Sequence, residues 1–173
     1  EVKDYITKSL KFTFLISIPM TLGIISISKL FVPIFFGEEY MKSSDILNIL
    51  SFLFIFMGIN SVTGSQYLIS TGQQNKHTKY LLIGGGINIV LNIASVIGEA
   101  TISILELHYL NKTKQYNSKG IIKYVYKYLI SGIIMLVSIL LFEKYISTLI
   151  GILLAVAIGV IIYFVILIIL RDD

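Results

Sequence analysis

Five long apolar runs, near residues 12–36, 46–70, 80–110, 121–142 and 145–170, constrain this chain more than any other feature. About 20 apolar residues cross a hydrocarbon core of about 30 Å as a helix. In lipid every backbone polar group must be paired internally, which a helix does within itself. The composition agrees. The chain is 55% hydrophobic and 14% charged, against about 25% charged residues in a soluble domain. The expected fold is therefore all-α, a polytopic transmembrane helix bundle forming a single domain over 1–173. The sequence holds no cysteine, which excludes disulfides, thiolate metal sites and a cysteine nucleophile. It opens on Glu1 rather than Met and reads as a segment, a processed product or an incomplete gene. Residues 1–9 are too polar for the core of a signal peptide.

The 80–110 run poses a length problem. As one helix of 31 residues it would be about 46 Å long, too long for an ordinary span. As two helices of about 15 residues, each would be slightly short. Lysine placement favours two. Six spans, near 12–36, 46–70, 79–93, 94–110, 121–142 and 145–170, put both termini on one side. That side holds Lys3, Lys8, Lys11, Lys76, Lys79, Lys112, Lys114, Lys119, Lys123, Lys127 and Arg171. The other holds Lys42 and Lys144, with Lys29 near the end of the first span, and most of the loop acids. Lysine and arginine concentrate in cytoplasmic loops, so the sequence predicts a multi-pass plasma-membrane protein with both termini cytoplasmic. A hairpin is expected to turn near Leu91–Ser95. That stretch has no Pro or Gly, so an irregular or strained joint is predicted.

Several pieces then resemble a known family. Ile18-Pro19-Met20, Gly23, Phe35-Phe36-Gly37-Glu38-Glu39-Tyr40 and Ser44 resemble the ninth span and following loop of polysaccharide and O-antigen flippases, within the multidrug/oligosaccharidyl-lipid/polysaccharide exporter superfamily. SVTGSQYLISTGQQNK (61–76), with Gln66, Gly72 and Gln73, resembles the tenth span and its turn. INIVLNI (87–93) resembles the amide-bearing motif of the eleventh. The resemblance covers most of 1–110 and is weaker over 121–170. It implies two pseudo-symmetric bundles around a cavity, of which this chain would be most of the carboxyl-terminal one. The implied partners are the lipid bilayer, a lipid-linked oligosaccharide substrate and a missing amino-terminal bundle. Where the family has a Pro-bearing turn and a Gly-Ala-Ala entry, Ile93 runs straight into ASVIGE (94–99), as if about a dozen residues were missing.

The polar residues inside the runs are the site candidates. Asn88 and Asn92 share a helix face and read either as cavity contacts or as interhelical hydrogen-bond partners. Glu99 and Glu106 lie two turns apart on one face, with Ser103 between. An ionisable residue inside a span is a functional hypothesis by default, and Glu99 is the candidate for ion coupling or a cavity role. Glu106, beside His108, is expected at the cytoplasmic interface. Asn60, Ser61, Thr63, Ser65 and Gln66 crowd one helix beside Gly64, facing a cavity or a neighbouring helix. The substrate-cavity candidates are thus Asn60, Gln66, Asn88, Asn92 and Glu99. Gly151, Ala155 and Gly159 form a small-residue ladder for close helix packing, expected within the bundle. Lys29 is expected to snorkel.

His77 and His108 read as isolated loop residues. No metal constellation, Ser/His/Asp grouping, phosphate loop or cofactor motif is present in the sequence, so no enzyme, metal or cofactor is expected. The basic residues lie in short loops rather than on one face, which argues against nucleic-acid binding. The leading expectation is the carboxyl-terminal part of a flippase working by alternating access. A drug/cation antiporter of the same superfamily and a non-transporting remnant or scaffold are the alternatives.

Overall fold

The computed structural model describes residues 1–91, 95–146 and 148–170, and among these every regular element is helical. The helices are α1 (Val2–Phe36), α2 (Ser43–Ser51), α3 (Leu53–Asn60), α4 (Gln74–Leu91), α5 (Ser95–Lys112), α6 (Ser118–Phe142) and α7 (Leu149–Ile169). Helix α3 continues into a π-helical segment, Ser61–Ile69. Short 3₁₀ turns occupy Glu38–Tyr40 and Glu143–Tyr145. The all-α membrane bundle is the observed fold class.

Four stretches are long and apolar enough to cross a membrane: Val2–Phe36, Ser43–Ile69, Ser118–Tyr145 and Leu149–Ile169. Helices α4 and α5, of 18 residues each, are not among them. What keeps α4 and α5 from that list is their polarity. Helix α4 opens on Gln74-Asn75-Lys76-His77, and α5 carries Glu99, Glu106 and His108 before closing on Lys112. The expected division of the 80–110 run into two helices is observed, while the joint itself, with Asn92, lies outside the described residues.

The chain divides into two compact units. The first comprises Glu1–Phe14 and Phe52–Tyr124. Helices α4 and α5 run antiparallel here, touching through Gly84 and Gly98. A Cβ on Gly84 would meet the Gly98 carbonyl at 2.8 Å and the Ile102 side chain. These glycines are what let the two backbones approach. Ile6, Leu10, Leu68, Leu110 and Ile121 are buried. Thr7 Oγ1 accepts the Asn117 backbone N–H at 3.1 Å, and Lys11 Nζ lies 3.8 Å from the Tyr124 ring centre.

The second unit comprises Leu15–Ser51 and Val125–Asp173. Its core is Met135, Ile139, Ala155 and Tyr163. Gly159 packs against Ile139 and Met135 of α6, so the small-residue ladder works within the chain at Ala155 and Gly159. Gly151 instead sits against Ile146 and Thr148 at the entry to its own helix, donating its N–H to Thr148 Oγ1 at 3.1 Å. That bond is an N-cap.

Two irregularities in this unit are repaired by side chains. Pro19 has no N–H to offer the Leu15 carbonyl one turn back, and Tyr163 Oη donates to that carbonyl at 3.0 Å. At the end of α2, Thr21 Oγ1 donates to the Ser51 carbonyl at 3.0 Å. Beside Pro19, an apolar cavity of about 330 Å³ is lined by residues including Met20, Gly23, Met135 and Tyr163. Lys29 is exposed near the end of α1.

Candidate functional site

The polar residues of the first unit are not spread along its helices. They form a ladder on one face of α5. Glu99, Ser103 and Glu106 stand at successive turns and point toward α3 and the π-helical segment. The upper rung joins α3 to α5. Asn60 Nδ2 donates to Glu99 Oε2, and Asn60 Oδ1 accepts from Ser103 Oγ at 2.7 Å. Ser103 Oγ also lies 3.1 Å from the Phe56 carbonyl and 2.9 Å from that of Glu99. An amide suits this place because it accepts from a hydroxyl and donates to a carboxylate at once.

The lower rung is deeper. Glu106 is 0% exposed, the most buried acid among the described residues. Thr63 Oγ1 contacts Glu106 Oε2, and His77 Nδ1 lies 2.7 Å from Glu106 Oε1. Thr63 Oγ1 is also 2.8 Å from the Ile59 carbonyl. Three elements meet at this carboxyl group: α5 supplies it, the π-helical segment supplies Thr63, and the first turn of α4 supplies His77. Gly64 makes the meeting sterically feasible. A Cβ there would collide with the His77 ring and come within 2.9 Å of Glu106 Oε1. π-Helical segments recur at functional sites, and here one carries both Thr63 and Gly64.

Beyond His77, at the exposed mouth of the ladder, Tyr109 Oη donates to Gln73 Oε1. Lys76 Nζ donates to Tyr109 Oη at 2.7 Å and to Gln73 Oε1 at 2.8 Å. Gly72, at φ 72°, makes the left-handed turn that brings Gln73 there.

Of the cavity candidates, the structure brings Asn60 and Glu99 together. Gln66 and Asn88 are exposed and lie outside the ladder, and Asn92 lies outside the described residues. One reading is corrected and one is sharpened. Glu106 faces inward, whereas His108 is exposed on the other side of the helix. His77 is neither isolated nor in a loop, since it sits on α4 and pairs with Glu106. The signal that reaches these residues is the seven-residue spacing of Glu99 and Glu106, which puts both on one face together with Ser103. No signal in the sequence ties His77 to that face. Among the described residues no group of three or more metal-ligating side chains forms.

Comparison of the chain with protein-family models, curated proteins and solved structures finds no match.

Proposed function

We propose that the chain is the carboxyl-terminal part of a flippase that moves lipid-linked oligosaccharide or polysaccharide precursors across the cytoplasmic membrane. The ordered likeness of residues 11–93 to such exporters supports the reading. The observation that carries it furthest is the ladder: two carboxylates, an amide, two hydroxyls and an imidazole gathered inside a membrane protein's helix bundle. Such groups are costly away from water and mark substrate or ion pathways. Transport would proceed by alternating access, one bundle rocking against another. The lysine asymmetry supports cytoplasmic termini, and it holds whether the α4–α5 hairpin crosses the membrane or stays on the lysine-rich side. Either arrangement leaves residues 37–42 and 143–148 opposite the termini.

A drug/cation antiporter of the same superfamily is the second reading, favoured by the burial of Glu106 against His77. Reconstitution of the protein expressed from its whole gene separates the readings. Flipping of a fluorescent lipid-linked oligosaccharide in proteoliposomes is the expected result. Cation-coupled dye uptake without flipping points to the antiporter. Neither activity contradicts transport and leaves a scaffold.

A further inference from the structure

We propose that Glu106 and His77 form a proton-binding site, loaded from water through His77. Glu106 has no exposure of its own, whereas the His77 side chain retains 13%. Protons therefore reach the carboxyl group by way of the imidazole. The transfer balances within the pair. A hydronium ion protonates Nε2 and leaves water. The proton on Nδ1 then passes to Glu106 Oε1 along the 2.7 Å contact. The products are a neutral imidazole carrying its proton on Nε2 and a neutral carboxylic acid.

The geometry satisfies both protonation states without moving a heavy atom. With Glu106 ionised, Nδ1–H donates to Oε1 and Thr63 donates to Oε2. With Glu106 protonated on Oε1, that hydroxyl donates to Nδ1, and Thr63 still donates to Oε2, now a carbonyl oxygen. A proton on Oε2 is accommodated as well. It donates to Thr63 Oγ1, which turns its own hydrogen to the Ile59 carbonyl 2.8 Å away. Gly64 keeps the space beside Nδ1 and Oε1 free of a side chain.

The ionisable groups acting on Glu106 are His77 from α4 and Glu99 from its own helix, the latter engaged by Asn60. The π-helical segment has Tyr67 as its one ionisable side chain. Lys76, the neighbouring cation on α4, is held by Tyr109 and Gln73. Ionisable groups in direct contact take up protons as a pair rather than singly. This chemistry is independent of whether the cargo is a lipid-linked sugar.

The test uses the full chain in nanodiscs with ¹⁵N-labelled histidine, carrying His108→Gln so that His77 is the remaining histidine. Between about pH 4 and pH 9 the His77 ring signals should move in two steps, and in one step once Glu106→Gln is added. An unchanging His77 signal, or the same single step in both proteins, overturns the proposal, because it means a fixed ion pair or an uncoupled histidine. A second measurement needs no variant at Glu106. Infrared spectra recorded where exposed carboxylates have just become ionised should show a protonated carboxyl band that shifts on ¹³C-glutamate labelling. Absence of that band across the titration equally overturns it.

Discussion

Gly64 is the residue on which the candidate site most depends sterically. Its missing side chain is the space into which the His77 ring and the Glu106 carboxyl group fit. Gly64→Ala should therefore destabilise the fold by about 1–3 kcal/mol, the usual cost of overpacking. The thermal midpoint of the purified protein in detergent checks this, and an unchanged midpoint would mean that the contact is not tight. At Glu106, Ala should be worse than Gln. Gln keeps the shape and can still accept from Thr63, whereas Ala leaves a cavity and removes the partner of both Thr63 and His77, leaving buried polar groups unsatisfied. The same thermal measurement ranks the two variants, and an Ala variant as stable as the Gln variant would contradict the geometry.

The residue scale also shows what the sequence made legible. The alignment of Glu99, Ser103 and Glu106 on one face follows from helical periodicity alone. Their partners do not, because His77 lies 29 residues from Glu106 in sequence and opens a helix with Lys76 and Thr78 beside it. A polar run of that kind has the signature of a surface turn. Only the tertiary fold turns one of its members inward. The inward aim of Glu106 is hidden for the same reason: His108, two residues on, is exposed, and residues two apart on a helix point about 200° apart.

At the scale of elements, proline shows how a local cost is met by a distant side chain. Pro19 leaves the Leu15 carbonyl without its helical partner, and Tyr163 on α7 supplies a hydroxyl. Tyr163→Phe should cost about 1 kcal/mol through loss of that bond. In a Pro19→Ala background the helix regains its own donor, so the same Tyr163→Phe change should cost less. A double-mutant cycle on thermal or denaturant unfolding measures the difference, and equal costs in both backgrounds would show that the bond serves another purpose. The helix boundaries at Gly37 and at Glu143-Lys144 were legible from turn residues. The π-helical segment was not, since its sequence, SVTGSQYLI, has no feature that separates it from an ordinary α-helix. The division of the 80–110 run was legible through charge placement.

At the scale of the whole molecule, membrane character comes from four long apolar stretches, and sidedness comes from the lysines. With eleven of the fourteen basic residues on the side of the termini, the expected arrangement is a chain whose 37–42 and 143–148 turns face outward and whose 70–79 and 113–117 turns face the cytoplasm. The side from which the Gln73–Lys76–Tyr109 cluster is reached follows from that orientation. The native sequence has no cysteine, so single cysteines report without background. The most direct measurement compares Glu39→Cys with Asn117→Cys in intact cells, using a membrane-impermeant maleimide. Glu39→Cys should label from outside, and Asn117→Cys only after the membrane is permeabilised. Labelling of Asn117→Cys in intact cells, with Glu39→Cys protected, would contradict the orientation.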